Sequence, residues 1–464
     1  MLYNKINQDI FLKIKNLLGS DNVFIEKDIL SHYSHDETED LSFFPELVVK
    51  PKTTKDISEL MKICYDNNIP VTPRGAGTGL SGGALPVKGG VVLSLERMND
   101  IIEIDTDNLQ ATVQPGVINQ VFQDELKKHD LFYPPDPASK GSCFLGGNVA
   151  ENAGGPKALK YGVTKDYVLN LELVLPNGIV INTGANVLKN ATGYNLTQLI
   201  VGSEGTLAII TKIVFKVLPL PKHDVTILVP FDSIEKACIS VSDVFVKGIN
   251  PCALEFMERD AVNLAMEYKK TDLKIGKNVA AHLLIELDGN DLDVIMKDCE
   301  IIYDVMNSHG AGDILFADNN RAKDNLWSLR RSVGEAVKMK SIYKEEDTVV
   351  PRANLPKMIS GVKEIGLRYG FRSICYGHAG DGNLHVNIMK DSMSLDKWNN
   401  VLDKAIKEIF ILCVKLKGTI SGEHGIGYVQ KKFMNIPFDA ANLDIQKKIK
   451  SIFDPKNILN PDKI

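Results

Sequence analysis

Three glycine-dense stretches, residues 74–90, 141–162 and 202–205, crowd the first half of this chain. Glycine lacks Cβ, so such stretches permit tight turns and let other atoms approach bare backbone. The first reads Pro73-Arg74-Gly75-Ala76-Gly77-Thr78-Gly79-Leu80-Ser81-Gly82-Gly83 and follows an apolar run at 69–71. Its successive amides can form a concave donor array for a pyrophosphate, with Arg74 adding charge. Taken alone, a tight structural turn explains it equally well. It is a poor dinucleotide fingerprint, because Pro86 and Gly89-Gly90 break the helix that should follow. No Gly-Lys-Ser/Thr follows either, which excludes a P-loop. Three glycine clusters are more than turns alone require, and a large extended cofactor lying on backbone accounts for them together.

A length of 464 residues calls for two or three domains. A hydrophobic content of 44% with 24% charged residues places the chain among ordinary globular proteins. The net charge of −5 gives no reason to expect nucleic acid or an anionic membrane as partner. No run of apolar residues is long enough to span a bilayer, and the N-terminus lacks the pattern of a signal peptide. Seven scattered cysteines without a C-x-x-C argue against a cysteine-built cluster and fit a cytoplasmic location.

Helical spacing of Ile57, Leu60, Met61 and Cys64 behind Thr54 predicts a helix over 54–68. Strands are expected at 69–71, 90–95 and 111–117. The character changes at Leu218-Pro219-Leu220-Pro221, an extended connection. Beyond it, helices near 232–247, 290–308, 354–369 and 394–417 alternate with strands near 225–230, 279–287 and 384–389. This pattern suits an α+β domain. The expected division is a ligand-binding domain at 1–220, a second domain at 221–420, and a segment at 421–464 that returns to the first.

Two segments of the second half carry the chemistry: His378-Ala379-Gly380-Asp381-Gly382-Asn383-Leu384-His385, and Ser421-Gly422-Glu423-His424-Gly425-Ile426-Gly427. Three histidines and a carboxylate suffice for a two-His, one-carboxylate metal site with an ionisable neighbour. Asp381-Gly382 is a type I′ turn signal. With those two residues as the turn, His378 faces His385 directly, their Cβ atoms about 4.5–5.5 Å apart. The bland alternative is a set of hydrogen-bonded core histidines.

The chain resembles the FAD-linked D-2-hydroxyacid dehydrogenases of the vanillyl-alcohol oxidase/PCMH flavoprotein superfamily. The segments PRGAGTGLSGGALP, YPPDPASK, GGNVAENAGG, KYGVTKDYV, VGSEGTLAIIT, GHAGDGNLH, SGEHGIG and DPKNILNPDK carry the likeness across essentially the whole chain. The resemblance implies an α+β protein: a PCMH-type FAD-binding domain, an α+β cap domain with an antiparallel sheet, and a short C-terminal helical tail. It implies FAD contacts at Arg74, Gly75, Ala76, Gly77, Thr78, Gly79, Leu80, Ser81 and Gly82. Further contacts are implied at Pro135, Asp136, Gly146, Gly147, Asn148, Asn152, Gly154, Gly155, Tyr161, Gly162, Glu204, Gly205, Ile210 and Asn460. No histidine stands in the diphosphate loop, so non-covalent FAD is expected.

The resemblance also implies His378, His385 and Glu423 as ligands of a divalent metal, Zn²⁺ foremost, with Mn²⁺ or Fe²⁺ as alternatives. It makes His424 the base, Arg330 the clamp of the substrate carboxylate and Asn387 a substrate contact. The implied reaction oxidises a small D-2-hydroxyacid, lactate or glycolate ahead of 2-hydroxyglutarate. The 2-hydroxyglutarate branch has a Thr where Gly334 stands and a Lys near Lys344-Glu345, where this chain aligns Glu345. Electrons are expected to pass to a separate protein, an electron-transferring flavoprotein or an Fe–S subunit, and a homodimer is compatible with the family. The competing readings are a redox-neutral flavin enzyme like the alkyl-glycerone-phosphate synthases, and a non-catalytic oxidase subunit. The intact His and Glu positions speak against both.

Overall fold

The computed structural model describes residues 3–271, 276, 278–317 and 319–463. It divides into two compact units. The first comprises the chain up to Gly154, Val163–Leu220 and the segment from Glu423 onward; the second comprises Gly155–Gly162 and Pro221–Gly422. Residues 155–162 fall inside the expected 1–220 domain. That segment belongs instead to the second unit, where its side chains find buried carboxylates. Lys157 Nζ lies 2.7 Å from Glu286 Oε1, and Lys160 Nζ and the Tyr161 hydroxyl reach Asp288 Oδ1 at 2.6 and 2.8 Å.

In the first unit, helix Thr54–Asp66 begins where expected and ends two residues short of 68, with Thr53 as its cap. Thr53 accepts from the Asp56 amide and Asp56 reciprocates, a capping box that satisfies two orphan donors. The helix buries Ile57, Leu60, Met61 and Cys64. Its neighbours form a four-stranded sheet in the order Val23–Phe24, Leu47–Val49, Val91–Ser94, Val71–Arg74. Val91, Val92 and Leu93 are all fully buried, as expected of strands paired in parallel. A second, antiparallel sheet holds Ile101–Asp105, Gln110–Val113, Ile209–Lys216, Val168–Val174 and Val180–Asn182. The strand expected to reach 117 stops at Val113, because Pro115 has no amide to give a ladder. The chain's last stretch joins the first sheet: Leu459 bridges Val71 in parallel, and the Asn460 amide donates to the Val71 carbonyl at 2.7 Å.

The second unit is built on a seven-stranded antiparallel sheet. Its order is Leu315–Ala317, His223–Phe231, Ala281–Gly289, Ala253–Glu258, Arg372–Gly377, Asn383–Met389, Tyr343–Val349. One face packs Leu228, Ala253, Met257, Leu284, Ile374, Tyr376 and Met389 against helices Arg259–Lys269, Asn320–Arg331 and Val333–Lys340. On the other face, Lys363 of helix Leu355–Tyr369 pairs with Glu258 at 2.7 Å. Strand residues two apart share a face. Glu286 and Asp288, Glu255, Tyr376 and His378, His385 and Asn387, and Glu345 and Asp347 therefore lie on the face that carries the apolar cluster. They form a polar row at one side of it, across five strands.

Candidate functional site

An open cleft with a cavity volume of about 240 Å³ lies within the first unit. Strand Val71–Arg74 runs straight into its floor, the loop from Gly75. Residues 74–80, Gly146, Gly147, Asn148, Gly154, Glu204, Gly205 and Ile210 line it, as do Glu423 and His424. Alanines 150, 153 and 208 line it too; they lie inside GGNVAENAGG and VGSEGTLAIIT but are not among the residues those segments implied as contacts. The glycines divide by role. A Cβ on Gly146 would lie 2.4 Å from the Pro115 Cβ, and one on Gly205 would lie 2.8 Å from Pro73 Cγ, so fold packing demands both. A Cβ on Gly79 or Gly147 would meet nothing within 4 Å, so their bare backbone keeps the cleft open. This cradle of exposed backbone, with room a side chain would fill, fits a long cofactor such as FAD.

Other expected FAD residues sit elsewhere. Ser81, Gly82, Pro135, Asp136, Asn152 and Asn460 belong to the first unit but are not among the residues lining the cleft, while Gly155, Tyr161 and Gly162 lie in the second unit. Arg74 lines the cleft, yet its guanidinium turns to the His35 carbonyl at 2.8 Å and stacks 5.4 Å over the Tyr33 ring. Asn460 donates to the carbonyls of Gly83 and Glu204 at 3.0 and 2.8 Å. Asn152, Glu204 and Asn460 all adopt left-handed backbone, a strained state that clusters at functional sites.

Sequence reasoning missed Lys463, whose buried ammonium donates to the carbonyls of Gly82 and Leu85 at 2.6 and 2.7 Å. Burial lowers it to about 8, against the opposing pull of Asp36 and Glu204. Glu204 grips the segment that follows His424, accepting from the amides of Ile426 and Gly427 at 2.8 and 2.7 Å. Burial pushes the Glu204 carboxyl up to about 7 despite those two donors. Burial, and next the Glu204 charge, push Glu151 up as well.

The polar row of the second unit holds the two hairpin histidines. Their rings stand edge to face with centroids 5.4 Å apart. His378 donates from Nδ1 to Glu255 Oε1 at 2.8 Å. His385 Nδ1 lies 3.4 Å from Glu345 Oε1 and 3.9 Å from Asp347 Oδ1. At His378 the carboxylate hydrogen bond on Nδ1 leaves Nε2 as the nitrogen with a lone pair, the arrangement of metal-ligating histidines, and His385 has carboxylate oxygens near the same nitrogen. The pair therefore fits a divalent cation. Two side chains one helical turn apart on Asn320–Arg331 descend on the row: Trp327 donates to Glu286, and Arg330 Nη2 lies 2.7 Å from Glu255 Oε2. Burial would raise the Glu255 carboxyl, but His378 and Arg330 outweigh it and hold it below the usual carboxylate range. Arg331 is exposed and stacks over Trp327. Asn387 is fully buried, with Nδ2 3.4 Å from the Ile374 carbonyl.

The two-residue turn is corrected. The ladder pairs Tyr376 with His385, so His378 and His385 are diagonal rather than opposite. The turn spans four residues, 379–382, with Gly382 N–H and Asn383 N–H both donating to the His378 carbonyl at 3.1 Å. Neighbouring strands decide this. Gly380 N–H donates to the Leu254 carbonyl at 3.0 Å and Val350 N–H to the Gly382 carbonyl at 3.1 Å. A Cβ on Gly382 would lie 1.9 Å from the Val350 oxygen, so that glycine serves a close backbone approach.

Comparison with known proteins places these features in a family. Residues 45–184 match the FAD binding domain family, and 220–464 match the C-terminal domain of FAD linked oxidases. The chain is 40% identical to the glycolate oxidase subunit GlcD of Bacillus subtilis (strain 168), over 93% of this chain and 91% of that protein. It is 35% identical to a D-lactate dehydrogenase of Anaerostipes hadrus, over 100% and 98%. It is also 38% identical to one from Archaeoglobus fulgidus, over 90% and 91%. Among solved structures, p-cresol methylhydroxylase with substrate bound matches with a TM-score of 0.82 at 19% identity, over 100% of this chain and 98% of that one. An alkyldihydroxyacetonephosphate synthase matches at 0.78 and 19%, over 100% and 87%. At that identity the two structures speak to the fold alone.

Proposed function

The chain belongs to the FAD-linked D-2-hydroxyacid dehydrogenases of the PCMH/vanillyl-alcohol oxidase superfamily, and on that premise we propose that it oxidises D-lactate or glycolate to the 2-oxoacid. The observation that carries the reading is the polar row: two buried imidazoles side by side, each backed at Nδ1 by a carboxylate, beside a buried arginine. His378 and His385, with Glu423 assigned by family resemblance, would hold a divalent cation, Zn²⁺ foremost. When bound, the cation supplies Lewis acidity toward the C2 hydroxyl, and FAD supplies the acceptor of the C2 hydride.

The chain's own residues do the rest. Arg330 binds the substrate carboxylate through its planar guanidinium. The Asn387 amide orients a substrate oxygen. An imidazole nitrogen of His424 takes the hydroxyl proton. The bare backbone of the first unit's cleft holds the isoalloxazine-bearing cofactor without a covalent link. Electrons then leave to a separate acceptor protein, either an electron-transferring flavoprotein or an Fe–S subunit. No helix among the described residues is long and apolar enough to cross a membrane.

The charges around the histidines favour a monocarboxylate. Glu345 and Asp347 flank His385 and would repel the distal carboxylate of 2-hydroxyglutarate. Anaerobic flavin bleaching with D- and L-lactate, glycolate and D-2-hydroxyglutarate tests the proposal. Rapid bleaching is expected with D-lactate or glycolate. Absence of bleaching with every 2-hydroxyacid defeats it.

A further inference from the structure

The polar row of the second unit is wired as well as lined, and its hub is Glu255. This side chain is 0% exposed; Oε1 accepts from His378 Nδ1–H at 2.8 Å, and Oε2 forms an ion pair with Arg330 Nη2 at 2.7 Å that lacks hydrogen-bond alignment. Arg330 is 7% exposed and lies 4.9 Å over the Tyr376 ring. The Tyr376 hydroxyl is 3.3 Å from Glu345 Oε2, and Glu345 Oε1 is 3.4 Å from His385 Nδ1. The buried Nε–H of Arg330 meets no acceptor among the described residues, so this guanidinium keeps a donor for an incoming anion.

We propose that Glu255 is a positioning residue that couples cation binding at His378 to carboxylate binding at Arg330. This rests on the metal-assisted reading given above. Two consequences follow from the geometry. A carboxylate that accepts from Nδ1–H fixes the imidazole tautomer and ring orientation, leaving the Nε2 lone pair directed away from Glu255. The same carboxylate holds Arg330 in one rotamer, because a buried guanidinium deprived of its partner would bear an uncompensated charge. A cation on His378 draws electron density from the imidazole and strengthens its Nδ1–H bond to Glu255. Glu255 thereby reports the state of one site to the other, and by linkage the effect is reciprocal.

The test uses the full-length, FAD-loaded chain stripped of metal, with Zn²⁺ affinity read by competition with a chromophoric chelator, with and without pyruvate as the 2-oxoacid probe. In the wild type, pyruvate should tighten Zn²⁺ binding. Glu255→Gln should weaken Zn²⁺ binding about 10- to 100-fold, the usual loss when the partner of a ligating histidine is removed. The pyruvate effect should shrink in that variant, because direct contact of the 2-oxo oxygen with the cation remains while the Glu255 relay is lost, and the flavin spectrum stays unchanged; a pyruvate effect as large as in the wild type overturns the inference. Glu255→Asp should recover part of the affinity. Selective ¹⁵N-histidine NMR of the wild type gives a second readout that needs no variant: His378 should carry its proton on Nδ1, and a proton on Nε2 overturns the inference. Wild-type Zn²⁺ binding with an unaltered affinity in Glu255→Gln overturns the inference alone. A wild type that binds no divalent cation removes the metal-assisted reading with it.

Discussion

Gly79 and Gly146 use the same missing Cβ for opposite ends. At Gly146 a methyl would press on Pro115, where overpacking costs about 1–3 kcal/mol, so Gly146→Ala should lower the melting temperature of the FAD-free chain. At Gly79 a methyl meets nothing within 4 Å, so Gly79→Ala should leave that melting temperature alone and weaken FAD binding instead. Calorimetry and a flavin titration separate the two, and equal behaviour would contradict the division. The motif marks both as glycine; only the packing around each tells them apart. His424 stands on the same cleft. His424→Ala should slow bleaching by roughly 10²- to 10⁴-fold, the usual worth of a general base, with the flavin spectrum intact. Loss of FAD from that variant would make His424 structural.

At the scale of elements, strand and helix periods were largely legible. Helices expected near 232–247, 290–308, 354–369 and 394–417 appear as Ile234–Val246, Leu292–Ser308, Leu355–Tyr369 and Leu395–Lys415. Amphipathic spacing is a local property, and the sheet does not override it. The hairpin turn was not legible, because the amides and carbonyls of 379–382 answer to Leu254 and Val350, remote in sequence. The strand Ala281–Gly289 hides another tertiary effect. His282 is 3% exposed, and burial, followed by the Arg259 charge, pushes it from the usual 6.5 down to about 4. Its folded state resists protonation that the unfolded chain accepts. Stability is therefore present above about pH 6.5 and drains as the pH falls toward 4, by about 3 kcal/mol in all. His282→Leu should gain on the wild type steadily as the pH drops through that window, followed as the difference in melting temperature. A constant difference would contradict it.

The tail is the other element whose role depends on the fold. Lys463 holds the Gly82 and Leu85 carbonyls, and the intervening Gly83 and Ala84 line the cleft. Lys463→Met removes two charge-assisted hydrogen bonds, while each carbonyl keeps one backbone donor, Leu85 N–H for Gly82 and Val87 N–H for Leu85. At about 1.5–3 kcal/mol for a hydrogen bond to a charged group, the Gly82–Leu85 turn should loosen and FAD affinity should fall several-fold or more. A flavin dissociation constant within twofold of the wild type would refute this.

For the whole molecule, the cleft of the first unit makes FAD a folding ligand. FAD at about a hundredfold excess over its Kd should stabilise the chain by about 2.7 kcal/mol, seen as a melting temperature that climbs with FAD concentration. A melting temperature indifferent to FAD would argue against a preformed cleft.

The sequence by itself determined the family, the α+β character and the kinds of side chain available, because motif identity and periodicity are carried by neighbours along the chain. Only the tertiary structure decided that Lys157, Lys160 and Tyr161 serve the carboxylates of the second unit, that Arg74 turns to His35, and that Glu255 joins His378 to Arg330. In each of these at least one member is a buried polar group that must find a partner once water is gone. The partners lie 39 to 129 residues away, where no local pattern can name them.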